Sequence, residues 1–189
     1  MSNKYEFGIS RTHVAFIDEE GSDYYETPEE IPGTINISIT PESETTEHHH
    51  DNKKAGEETN NNGYSGSIET STIPDEILAE MQGHEIDDND GIVERQDDEP
   101  KEFALMFETE GSDEKIRTVF YRVKAQRPSE EHQTNDPAPN ISTKTMDLTM
   151  MAEDDSEDKY IKYSLKESDT GFDSFFEEVP MPEFESTSS

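Results

Sequence analysis

Three adjacent imidazoles, His48-His49-His50, are the first residues in this sequence whose chemistry stands out. Imidazole ligates transition metals and changes charge close to neutral pH. Three successive side chains cannot all turn to one ion without distortion, and no carboxylate spacing closes a coordination shell beside them. A solvated loop is the better reading. If that loop packs against another copy, protonation at about pH 6 would modulate the contact.

A second acidic stretch, Glu85-Ile86-Asp87-Asp88-Asn89-Asp90-Gly91, invites a calcium reading. A calcium-binding helix–loop–helix loop needs oxygen ligands at its first, third and fifth positions and glycine at its sixth. With Gly91 sixth, Ile86 stands first and the pattern fails. The stretch reads as a turn with solvated carboxylates.

Five of the 15 basic residues, Lys115, Arg117, Arg122, Lys124 and Arg127, follow one another with no acid among them. A nucleic-acid patch would look like this. On so acidic a chain the better reading is a basic strand that meets carboxylates, either within the subunit or across a contact between subunits.

No Gly-x-Ser-x-Gly and no phosphate loop occurs, and His84 and His132 stand alone among polar neighbours. An enzyme reading has no constellation to stand on, and no cofactor is expected.

The rest of the composition sets the frame. A chain of 189 residues fits one domain, here taken as residues 1–185 with a loose end at 186–189. Leu, Ile, Val and Phe together number only 32, and the formal charge is -32, a combination typical of disordered chains. Regular alternation argues against disorder, as described below. With no cysteine, disulfides and thiolate metal sites are excluded. No apolar run approaches the ~20 residues of a membrane span. The start, Met1-Ser2-Asn3-Lys4-Tyr5-Glu6, lacks the apolar stretch of a secretory signal, so the chain is expected to stay in the cytoplasm where it is made. The charge opposes binding to phosphate. It suits a DNA mimic, a partner of basic proteins, or a wall that DNA slides past.

The elements that must position these residues are mostly strands. Thr34–Thr40 alternates, with Ile35, Ile37 and Ile39 on one face. Phe103, Leu105 and Phe107 point one way, Glu102, Ala104, Met106 and Glu108 the other. Glu110-Gly111-Ser112-Asp113 then turns the chain into Ile116–Ala125. That strand is apolar on both parities, which predicts either burial on both sides or a bulge that swaps its faces. His13–Ile17 and Lys144–Met150 read as strands, and Tyr160–Leu165 as a weaker one. Pro74–Gly83 predicts one short helix, with proline and acids in the first turn, glycine past the end, and Ile77, Leu78 and Met81 as its apolar stripe. Phe172, Phe175 and Phe176 suggest a further short helix or turn. Two stretches, 42–62 and 129–140, lack periodicity and read as long loops. The fold class is mainly β, a sandwich or open barrel with one inserted helix.

The blocks Asn60-Asn61-Asn62-Gly63-Tyr64-Ser65-Gly66, Ile73-Pro74-Asp75-Glu76, Gly91-Ile92-Val93-Glu94, Pro100–Glu108 and Arg117–Tyr121 also have an order and spacing. With Phe7-Gly8 and Ile31-Pro32-Gly33 ahead of them, the chain from Tyr5 to Phe184 resembles the major tail proteins of long-tailed bacteriophages (siphophages), the subunits of the tail tube. The resemblance implies a tail-tube-type β-sandwich whose copies form hexameric rings. Those rings stack into a tube through which DNA passes without specific binding, in the company of tape-measure and tail-terminator proteins. It further implies that the loop at 42–62 reaches a neighbouring subunit or ring. Such loops tend to carry apolar residues near their start. Here Glu47, His48, His49, His50, Asp51, Asn52, Lys53 and Lys54 stand there, which makes this one more polar.

A carboxylate-lined lumen would repel phosphate and let DNA slide. The charge exceeds what a lumen needs, so the outside must be acidic too, and assembly should depend on ionic strength or divalent cations. The runner-up reading is an acidic DNA mimic that occupies the basic site of a host nuclease or regulator.

Overall fold

The computed structural model describes residues 6–18, 24–50, 53–111, 113–129, 143–154 and 158–184. Strand β1 spans Glu6–Phe16, β2 Glu29–Glu30, β3 Thr34–His50 and β4 Lys53–Thr70. Helix α1 spans Asp75–Gln82. Then come β5 (Glu85–Ile86), β6 (Ile92–Val93), β7 (Glu102–Gly111), β8 (Lys115–Ala125), β9 (Lys144–Met151) and β10 (Lys162–Lys166). All but β5 and β6 join one antiparallel sheet in the order β2-β1-β7-β8-β9-β4-β3, with β10 added against β8. Cα atoms of β3 come within 8 Å of β1, although the two are not hydrogen-bonded neighbours. The sheet therefore curls toward an open barrel.

The sheet divides at β8. One side of this strand pairs with β7 along its length. On the other side Ile116–Phe120 pairs with β10, and Arg122–Ala125 pairs with β9. Between these registers Tyr121 and Arg122 together oppose Ala104, a β-bulge. The bulge changes which parity faces which side. Ahead of it Val119 joins one apolar cluster and Phe120 the other; after it Val123 and Ala125 fall with Phe120. Both alternatives predicted for this strand thus hold, since it is buried on two sides and its faces swap.

The inner cluster gathers Phe16, Phe103, Leu105, Phe120, Met146 and Met150. Helix α1 closes it with Ile77, Leu78 and Met81, the stripe its spacing predicts. Burying each such side chain contributes roughly 1.5–3 kcal/mol. Gly83 ends the helix with φ 71°, and its N–H reaches back to the Ala79 and Glu80 carbonyls. The second cluster lies on the outer face of β7 and β8, where Ala104, Met106, Val119 and Tyr121 are covered by Leu165, Phe172, Phe175 and Phe176. The three phenylalanines sit on successive tight turns rather than a helix, with Phe172 N–H bonded to Asp169 O and Phe175 N–H to Phe172 O.

The stretch expected as a loop at 42–62 is instead strand over its described length. Thr45 pairs with Thr59, Glu47 with Glu57, His48 with Gly56, His49 with Lys54 and His50 with Lys53. Asp51 and Asn52 lie outside the described residues, as does most of the expected loop at 129–140. A two-stranded ribbon pairs the inner backbone edge of each strand and leaves the outer edge to water or a neighbour, so its pairing needs no apolar face and no alternation marks it.

Candidate assembly surfaces

The basic strand carries its counter-charges with it. The bulge at Tyr121-Arg122 puts Arg122 and Lys124 on the same face as Lys115 and Arg117. On that face the neighbouring strand β7 presents Glu102 and Glu108 at its two ends. Lys115 Nζ lies 3.2 Å from Glu108 Oε1, and Arg117 Nε donates to Glu108 Oε2 at 2.9 Å. Arg122 binds both Glu102 and Asp154, and Lys124 Nζ is 3.5 Å from Glu102 Oε1. Arg127 Nη1 reaches Glu94 Oε1 at 2.6 Å. All five cations are matched inside the chain.

The two carboxylates respond to this setting. Burial raises the Glu108 carboxyl, but the hydrogen bonds and charges of Arg117 and Lys115 outweigh it and hold its pKa below the usual range. Glu102 behaves alike: burial raises it, and Arg122 with Lys124 brings it below normal. Arg117 also lies 3.8 Å over the Phe172 ring and donates to the Phe172 carbonyl. The pair thereby pins the carboxy-terminal turns to the sheet. Tyr121 adds a second pin, its hydroxyl donating to Pro180 O at 2.8 Å.

The ribbon formed by β3 and β4 is the most extended surface. β4 is held to β9 only from Tyr64 to Thr70. Among the described residues, from Ser43↔Asn61 outward to His50↔Lys53, the two strands pair only with each other. Eight residues of strand span about 26 Å. Glu47, His48, His49, His50, Lys53 and Lys54 therefore belong to the outer end of this ribbon.

The acidic stretch after α1 forms the hairpin of β5 and β6, with Glu85 opposite Val93 and Ile86 opposite Ile92. Asp87 organises the turn. Its carboxylate accepts the Asn89 and Gly91 N–H groups at 3.0 and 2.7 Å, and these bonds, with one from the Asn89 side chain, lower its pKa. The carboxylate's oxygens serve the turn, as expected for a solvated hairpin. The surprise is apolar exposure: Ile86 is 43% and Ile92 40% accessible.

A groove of about 920 Å³ opens where the sheet divides, between β3 and β10. Ile9, Ile35, Ile37, Phe107, Ile116 and Phe120 line its apolar part, and Lys162 and Lys166 stand on the β10 side. Ile35 is half exposed there. Both flanking strands present an unpaired edge, since β3 ends the sheet and β10 pairs only with β8. Sequence reasoning missed this groove. Ile35 reads as one more core residue until the groove between β3 and β10 is seen to leave it half exposed.

Among the described residues no helix is long and apolar enough to cross a membrane. A family model described as phage tail tube protein matches residues 6–182. No curated protein matches the chain.

Proposed function

Because this chain belongs to the phage tail tube protein family, a set of structural subunits of the virion tail, we propose that its copies close into hexameric rings. Those rings stack into the tube through which DNA leaves the capsid. The family match over residues 6–182 is the observation that carries this reading. The ribbon of β3 and β4 supports it, because a two-stranded ribbon alone is marginally stable in water and gains by lying on a neighbour. In this reading the ribbon's outer end, Glu47 to Lys54, docks on an adjacent ring. The exposed members of the basic strand, Lys115, Lys124 and Arg127, contribute to contacts between subunits. The charge of -32 gives the lumen a wall that repels phosphate, so DNA moves without specific binding. Tape-measure and terminator proteins are the expected partners at the core and end of the tube.

Negative-stain electron microscopy of the purified protein across a salt series, with magnesium added at one point, tests this. Hollow tubes of uniform width that grow as charge is screened support it. A monodisperse monomer or dimer under every condition, together with capture of a basic host protein, would favour the DNA-mimic reading instead.

A further inference from the structure

We propose that the β5–β6 hairpin of one copy docks in the groove between β3 and β10 of the next, as a heterologous contact within the tube. The proposal rests on the tube reading and adds the surfaces that make one of its contacts.

Two features of the chain are each incomplete alone and match each other. The hairpin exposes Ile86, Ile92 and Val93, and its turn carries the exposed carboxylates Asp88 and Asp90. Neither aspartate has an ion pair among the described residues, whereas Glu85 and Glu94 are taken by Arg95 and Arg127. The groove offers an apolar floor of Ile37, Phe107 and Phe120 and, on its β10 side, Lys162; the other charged residues there, Lys166 and Asp169, are engaged, Lys166 by Glu114 and Asp169 by the Lys166 N–H. That cation, Lys162, has no carboxylate partner among the described residues; its ammonium lies 5.5 Å over the Phe120 ring. Among the described residues Arg11 and Lys162 each face an aromatic ring in place of a carboxylate, and of the two Lys162 lines the groove. An apolar ridge with an acidic tip fits an apolar trough with a basic rim.

The two features cannot meet within one copy. The hairpin is tied to the carboxy-terminal end of β8 through Glu94 and Arg127. In the groove, Lys162 stands opposite Phe120 of the same strand. Seven residues of extended chain separate Phe120 from Arg127, about 23 Å. A contact between different patches on two copies is heterologous, so it repeats from copy to copy, closing a ring or propagating a stack.

The chain has no cysteine, so introduced cysteines report only on the chosen contact. D90C and S164C are prepared separately, mixed, assembled in salt and magnesium, and oxidised. Disulfide-linked dimers on a non-reducing gel are expected from the mixture and not from either variant alone. A chain carrying both substitutions is expected to give a ladder, which stops at the ring size if the contact lies within rings and continues beyond it if the contact joins rings. K162E is expected to keep the parent's thermal unfolding and lower the yield of tubes at least tenfold, and D88K/D90K is expected to restore assembly with it. Tubes that form without cross-links, or K162E tubes at the parent's yield, overturn the docking and leave the tube reading standing. If the parent protein forms no rings or tubes in any condition, both readings fall.

Discussion

Glu108 and Arg117 stand directly opposite each other on β7 and β8, joined by a 2.9 Å hydrogen bond, with side chains only 3% and 7% accessible. They form the one buried acid–base couple of the basic strand, and they hold three parts together. Glu108 also takes Lys115, and Arg117 reaches past the sheet to Phe172. The strand that looks like a nucleic-acid patch in the sequence is thus an internal seam, and its charges are neutralised where β7 and β8 meet.

Removing one half of that couple leaves the other charge buried without a partner, which costs about 3–5 kcal/mol. E108A is therefore expected to lower the denaturant midpoint by the equivalent of that range, and R117A by a similar amount. An apolar pair, E108L/R117M, is expected to recover most of the loss, because it removes both desolvated charges together. Urea unfolding followed by circular dichroism measures all three. A loss below about 1 kcal/mol for E108A would mean that the couple is no more than a surface ion pair.

The same couple sets an acid limit. Glu108 and Glu102 have pKa values lowered in the folded chain, so their contribution to stability is present above the ordinary glutamate value of 4.5. It is lost as pH falls through the depressed folded values. Protonation of the many exposed carboxylates acts the other way, by relieving self-repulsion of a chain at -32. Comparing E102Q/E108Q with the parent separates the two. The variant is expected to be less stable at neutral pH and to converge with the parent as pH falls from 4.5 through the depressed folded values, the span over which the parent loses the same two contributions. Parallel stability curves down to the acid limit would rule the assignment out.

Much of the fold was legible because burial leaves a period. Phe103, Leu105 and Phe107 alternate toward one cluster, and Ile77, Leu78 and Met81 mark the helix face. Even the ambiguity of β8 was legible, since mixed parity is what a bulge between two buried faces produces. The ribbon was not, because a hydrogen-bonded two-stranded ribbon asks for no side-chain alternation, and none marks residues 42–62. The groove was hidden for a different reason. It depends on β10 and β9 sharing one side of β8, a long-range arrangement that no local pattern encodes.

A glycine where two strands crowd gives a third test. Gly63 has φ 92°, and a Cβ there would run into the Met150 carbonyl oxygen of β9. The position thus needs both the left-handed backbone and the missing side chain. G63A is expected to cost about 1–3 kcal/mol, the range of a forced backbone conformation. The register of β4 on β9 is fixed at Tyr64↔Met150 beside it, so the loss should appear first as faster amide exchange in that pair. Unchanged exchange there would place the strain elsewhere.

The ribbon itself separates folding from assembly. Among the described residues its outer part, beyond Ser43↔Asn61, has no hydrogen-bonded neighbour strand other than itself and adds nothing to the pairing of β4 with β9. Replacing residues 45–59 by an Asn-Gly turn, which keeps the Glu44↔Asn60 register, is expected to leave thermal unfolding of the subunit within a few degrees of the parent, because the strands that bury the core end at Tyr64. The same variant is expected to form no tubes at any salt or magnesium concentration. A milder change tests the imidazoles. If His48, His49 and His50 meet another ring, replacing them with glutamine should remove any change in tube yield across the histidine titration range of about pH 5–8. A shortened chain that still builds tubes would show that the ribbon is dispensable, and the contacts that hold the tube would then have to lie on the body of the sheet.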